Sequence, residues 1–143
     1  MGEKTIKVIL DANIYASFFL TGGETIAQIF ALWKSGDIEV FASIDIVAEV
    51  YRIFRYPKIQ KRITSIDKNA LMQMLEYLVK RVYPQETTHI VRDSKDEKYI
   101  EAASACQADY LVTGDRDLLS LKTFGTTRIV SPKEFVEVLQ KGI

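Results

Sequence analysis

Short runs of β-branched and aliphatic residues alternate with longer amphipathic stretches along this chain, and that alternation constrains the fold most. Thr5 to Leu10 reads as a buried strand, and Glu24 to Lys34 as a helix that closes at Ser35-Gly36. Ile38 to Phe41 forms a second strand, after which Ser43 caps a helix running to Phe54 and stopping before Pro57. From Asp67 to Arg81 the residues Leu71, Met74, Leu75, Leu78 and Val82 share one face, which predicts an amphipathic helix. Thr87 to Val91 is a third strand, Asp96 to Cys106 a helix, Tyr110 to Thr113 a fourth strand and Arg128 to Val130 a fifth. Pro132 opens a last helix to Lys141, with Ser131 as its cap and Gly142 at its end. Strands separated by helices in this way predict a three-layer α/β/α sandwich around a mostly parallel sheet of about five strands.

Length and composition fit that architecture. With 143 residues, 48% hydrophobic and 27% charged, the chain has enough apolar material for one core and is expected to be a single domain over residues 1–143. Lysine plus arginine and aspartate plus glutamate both total 19, so the net charge is zero, unlike the basic balance of proteins held to nucleic acid by bulk charge. A single cysteine, Cys106, excludes an intrachain disulfide. The apolar stretch near the N-terminus is broken by Asp11 and Asn13, short of the roughly 20 residues a membrane helix needs, and no A-x-A-like cleavage site follows it. These features predict a cytoplasmic protein without a membrane partner.

In a parallel sheet covered on both faces, ligands bind outside the carboxyl ends of the strands, and acids stand there in this chain. Asp11 follows the first strand, Asp93 and Asp96 the third, and Asp115 and Asp117 the fourth. Two carboxylates about 4 Å apart repel by roughly 4 kcal/mol at an effective dielectric of 20, so such a group needs protons or a cation. Oxygen ligands of this kind suit Mg²⁺ or Mn²⁺, hard ions that keep waters for a phosphate to displace. One histidine, His89, and one cysteine argue against zinc.

Each acid also has a plainer reading. Asp96 could cap its helix, and Asp115 and Asp117 could form a Gly-Asp-Arg-Asp turn. Asp11 is harder to explain so, because a carboxylate ending an apolar strand is costly unless paired or metal-bound. Glu49 falls just beyond the Ile46–Ile53 edge of the stripe made by Ile46, Val47, Val50, Tyr51, Ile53 and Phe54, and spacing alone leaves it on the solvated rim of its helix.

Four blocks in series, Val8-Ile9-Leu10-Asp11-Ala12-Asn13, the Glu49 helix leading to Phe54-Arg55-Tyr56-Pro57-Lys58, Arg92-Asp93-Ser94-Lys95-Asp96, and Val112-Thr113-Gly114-Asp115-Arg116-Asp117-Leu118-Leu119, resemble a PIN domain. The resemblance spans nearly the whole chain and is strongest to the small prokaryotic branch of toxin–antitoxin pairs related to VapC-type ribonucleases. It implies a metal-dependent ribonuclease. Asp11, Glu49, Asp96 and Asp115 would be its catalytic, metal-binding quartet, and Asn13 and Thr113 supporting polar residues. It lifts Glu49 from rim to site and favours Asp96 over Asp93, leaving Asp93 and Asp117 as alternative ligands. Ser94 stands where relatives usually carry proline.

The implied reaction is hydrolysis of an RNA phosphodiester assisted by Mg²⁺ or Mn²⁺. Residues 51–62 hold five cations, Arg52, Arg55, Lys58, Lys61 and Arg62, and no acid, interleaved with Tyr51, Phe54 and Tyr56. They could follow an RNA backbone, hold a cognate antitoxin, or be no more than a solvated helix end. The resemblance also implies a homodimer. A haloacid-dehalogenase-like phosphatase is a rival, but it would require aspartate in place of Asn13 and a different spacing from Asp115 to Asp117. A non-catalytic RNA- or protein-binding PIN module is a second rival, opposed by the presence of all four acids.

Overall fold

A computed structural model describes residues 5–20, 23–85 and 94–141. The predicted strand at 87–91, with His89, and the acid Asp93 lie outside these residues. Three consecutive residues of β1 (Ile6–Leu10), Val8, Ile9 and Leu10, are fully buried. Because successive strand residues point to opposite faces, β1 is covered on both sides, as a sandwich requires.

Among the described residues the sheet has six strands, in the order β3-β2-β1-β4-β6-β5. β2 (Ile38–Ala42) and β4 (Tyr110–Val112) flank β1 in parallel, β3 (Lys80–Arg81) extends the β2 side, and β6 (Thr127–Val130) runs parallel to β4. Among the described residues β5 (Thr123–Phe124) is the one antiparallel strand, at the end of the order beyond β6. The chain moves outward from β1 through β2 and then returns to the other side of β1 with β4. The order therefore reverses between β1 and β4, and a crevice opens there at the carboxyl ends.

Helices α2 (Glu24–Ser35), α3 (Ile44–Phe54), α6 (Ser94–Cys106) and α8 (Pro132–Lys141) fall where the periodicity predicts them. The caps agree. Gly36 ends α2 at φ 85°, a left-handed conformation that glycine adopts without strain, and the Ser43 hydroxyl accepts from Ile46 N–H at 3.2 Å. Ser131 likewise accepts from Glu134 N–H at 3.1 Å.

Other elements were not visible in the pattern. α1 (Ala12–Leu20) is apolar nearly all round, with Ala12, Ile14, Tyr15 and Ala16 buried, so it carries no two-faced signature. α4 (Pro57–Gln60), α7 (Arg116–Leu119) and β5 are too short to establish a period. The helix predicted from Asp67 to Arg81 is corrected. α5 (Ser65–Gln73) gives way to a π-type turn over Met74–Leu78, where Val79 N–H bonds to Met74 O at 2.9 Å. The wider turn rotates Leu78 off the apolar face, leaving it 44% exposed, while Leu71, Met74 and Leu75 remain buried. Lys80 and Arg81 then pair with Phe41 and Ala42 as strand.

Candidate metal centre

Register places the first two site residues. Leu10 pairs with Val112, so Asp11 and Thr113 are the next residues on adjacent parallel strands, at the carboxyl ends beside the reversal. Thr113 Oγ1 donates to Asp11 Oδ2 at 2.7 Å and accepts from Asp115 N–H at 3.0 Å. One fully buried hydroxyl thus joins the acid after β1 to the acid after β4.

Asp11 is 6% exposed, and Asn13 N–H donates to its Oδ1 at 3.0 Å, so it also caps α1. Asp115 caps α7 in the same manner, its Oδ1 accepting from Asp117 N–H at 2.8 Å and Leu118 N–H at 3.3 Å. The capping roles are therefore real for these two acids, and they orient carboxylates rather than exclude another use. Asp96 is 5% exposed and lies inside the first turn of α6, not at its cap.

Asp96, Asp115 and Asp117 each offer a carboxylate oxygen, and these atoms lie within 4.8 Å of one another. Asp117, an alternative in the sequence reading, is therefore part of the cluster; it is exposed, Asp115 half-buried and Asp96 buried. The donor set is all oxygen, without thiolate or imidazole, which fits a hard divalent cation.

Glu49 is set apart from that trio. Its carboxylate is ion-paired with Arg52 on the same helix and with Lys98 of α6 at 3.4 Å. Its side chain is only 16% exposed, so it is not the solvated rim residue that spacing suggests. Tyr99 ties it to the rest: the buried phenol feels the charges of both Asp11 and Glu49. Burial first, then the Asp11 charge, push the Tyr99 hydroxyl well above the usual phenol range. That hydroxyl accepts from Ala12 N–H at 3.1 Å.

Sequence reasoning missed Lys98 and Tyr99. Tyr99 stands in the apolar stripe of α6 beside Ile100 and Ala103, and a stripe does not show where a ring's hydroxyl ends. Asn13 is exposed, and its backbone rather than its side chain meets Asp11. Of the basic run, Arg52 reaches Glu49, whereas Arg55 lines a small cavity of about 150 Å³ with Tyr51 and Phe54. At about 100° per residue Tyr51 lies some 200° around α3 from Glu49, so that cavity opens on the flank away from the acids. Arg55, Lys58, Lys61 and Arg62 are exposed.

Known proteins share this framework. A family model described as PIN domain matches residues 7–117, from β1 to the last acid of the cluster, and the chain belongs to that family. Among solved structures, the chain is similar to one of VapBC2 from Rickettsia felis bound to a DNA fragment from their promoter. That likeness has 14% identity and a TM-score of 0.59, and covers 87% of this chain and 97% of the other. VapC20 from Mycobacterium tuberculosis, a sarcin–ricin loop cleaving toxin, is similar at 15% identity and a TM-score of 0.52, over 85% of this chain and 98% of the other. At such identities the likeness is one of fold. Comparison with curated proteins gives no significant match.

Proposed function

We propose that this PIN domain is a metal-dependent endoribonuclease, the toxin of a toxin–antitoxin pair, with Asp11, Glu49, Asp96 and Asp115 as its catalytic acids and Asp117 as a further ligand. The gathering of three carboxylates within 4.8 Å beside the Thr113-linked Asp11 carries this reading. The two similar solved structures, a toxin–antitoxin complex and an RNA-cleaving toxin, support it.

Asp96, Asp115 and Asp117 would hold Mg²⁺ or Mn²⁺, with Asp11 and Glu49 completing the site. When bound, the ion supplies Lewis acidity toward a phosphate oxygen and a water of lowered pKa. The chain's residues do the positioning. Thr113 and Asn13 N–H fix the Asp11 carboxylate from both oxygens. The N–H groups of Asp117 and Leu118 hold Asp115 Oδ1. Arg52 and Lys98 hold the Glu49 carboxylate in ion pairs, and with an ion bound at the acids they would be the cations available to a phosphate.

Arg52, Arg55, Lys58, Lys61 and Arg62 form the surface for RNA or for a cognate antitoxin, and the active unit is a homodimer. Zero net charge sets a modest, salt-sensitive affinity for RNA. No helix among the described residues is long and apolar enough to cross a membrane, in keeping with a cytoplasmic site of action.

Asp11→Asn tests the assignment. It should abolish Mn²⁺-dependent cleavage of single-stranded RNA while leaving the circular dichroism spectrum intact. Release of phosphate from small phosphomonoesters would point to the phosphatase instead. RNA or partner binding with no cleavage by the wild type would leave a binding module.

A further inference from the structure

We infer that Tyr83 is a base-stacking position for single-stranded RNA, on the same sheet edge as the acids and two strands along from Asp11. The inference rests on the nuclease reading of those acids and gives the RNA a place beside the bond to be cut.

Register fixes where Tyr83 stands. β1, β2 and β3 are parallel neighbours, with Ile9 paired to Phe41, and Phe41 and Ala42 paired to Lys80 and Arg81. Asp11, Ser43 and Val82 therefore follow in one row at the carboxyl ends, and Val82 N–H bonds to Ala42 O at 3.2 Å. Ile44 and Tyr83 come one residue later. At about 4.8 Å between strands, the backbone of Tyr83 lies roughly 10 Å along the edge from Asp11, close enough for nucleotides next to a phosphate held at the acids.

The chemistry of that stretch suits a base. Tyr83 is 67% exposed and Ile44 65%, although Ser43 and Val82 in the row beneath them are buried. Arg81 is exposed, Val82 buried and Tyr83 exposed, an alternation that puts the cation and the ring on one face. Lys80 is held by Glu39, whereas Arg81 is in no ion pair among the described residues. An open aromatic ring beside an open cation is what single-stranded nucleic acid binds, because every base has a face to stack and every nucleotide a phosphate.

Arg55 and the cations after it do not supply this contact. α3 starts at the carboxyl edge, and its 11 residues carry the chain about 16 Å away before that run begins. Tyr77 is the matched comparison. It is 78% exposed, but stands in the turn that leads into the amino end of β3 rather than beyond its carboxyl end.

Two assays on wild type, Tyr83→Ala, Tyr83→Phe and Tyr77→Ala test the assignment, with thermal melts confirming that each is folded. One is fluorescence anisotropy of a short labelled single-stranded RNA of mixed sequence, in Mn²⁺ and again in chelator; the other is steady-state cleavage of the same RNA in Mn²⁺. Tyr83→Ala should bind about tenfold more weakly and raise KM by a like factor with kcat unchanged, while Tyr83→Phe, which keeps the ring, and Tyr77→Ala behave as wild type. Wild-type affinity in Tyr83→Ala, the result expected of a surface that serves a protein partner, would overturn the stacking role and leave the nuclease standing. So would equal weakening in Tyr77→Ala, or a loss in Tyr83→Phe as large as in Tyr83→Ala. Tyr83-dependent binding without cleavage by the wild type would uphold the stacking position and overturn the nuclease reading. A wild type that neither binds nor cleaves the RNA would overturn both.

Discussion

Replacing Thr113 with valine removes one hydroxyl from the point where the two central strands meet the acids. The side chain is fully buried, and valine keeps its shape, so packing changes little. Two interactions are lost together: the 2.7 Å bond to Asp11 Oδ2 and the 3.0 Å bond from Asp115 N–H. A hydrogen bond to a charged acceptor contributes about 1.5–3 kcal/mol, and a stranded backbone donor costs roughly 1 kcal/mol or more. The sum, reduced because the two share one atom, is about 3 kcal/mol. For a chain of 143 residues this corresponds to a fall in Tm of roughly 10 °C. Thr113→Ser retains the hydroxyl and deletes a methyl, so it should cost only about 1 kcal/mol. Thermal denaturation at pH 7 without added metal compares the three proteins. If valine is as stable as threonine, or if serine is as damaging as valine, the hydroxyl is not what links Asp11 to Asp115.

Three further outcomes follow from the geometry. Asp117→Asn removes an exposed charge from a trio of carboxylates within 4.8 Å, so the metal-free protein should gain about 1 kcal/mol; the gain should vanish in 1 M salt, where the screening length is about 3 Å, and a loss of stability would contradict the crowding. Tyr15 and Tyr99 both have phenol pKa values raised by burial, so the folded protein holds protons that the unfolded chain releases above about pH 10. Their stabilisation is complete below pH 10 and declines by up to about 2.7 kcal/mol per pH unit beyond it; urea titrations at pH 9 and 11, with phenolate absorbance as the monitor, should show unfolding and the ionisation of the last two of seven tyrosines together. Ser43→Ala, which uncaps the helix carrying Glu49, should cost about 1 kcal/mol in the same melts and slow RNA cleavage less than Glu49→Gln does.

Much of this molecule is legible in its sequence, because the features that made it so are local. Gly36, Ser43 and Ser131 mark helix ends by their own chemistry, and β-branched runs mark β1, β2, β4 and β6. Among the described residues, β1, β2, β4 and β6 are four of the expected five or so strands, the one at 87–91 lies outside them, and the short edges β3 and β5, which two residues each cannot announce, complete the six. α1 was hidden for the opposite reason, since a helix that is apolar nearly all round gives no clear period. The rule that ligands gather at carboxyl ends of parallel strands singles out Asp11, Asp93, Asp96, Asp115 and Asp117, and only the resemblance favours Asp96 over Asp93. Glu49 needed family resemblance, because its ion pairs with Arg52 and Lys98 depend on how α3 and α6 pack. Tyr99 escaped altogether: its ring obeys the helical period, which does not show that its hydroxyl meets Ala12 N–H.

The central claim is that these acids hold a divalent ion with which the chain cuts RNA. The most direct measurement is cleavage of a labelled single-stranded RNA by the purified protein, stripped with chelator and then titrated with Mn²⁺ or Mg²⁺. The account predicts no cleavage in chelator, full recovery on adding either or both ions, and none at any metal concentration for Asp96→Asn. Cleavage that persists in chelator, or that survives in Asp96→Asn at the wild-type rate, would contradict it.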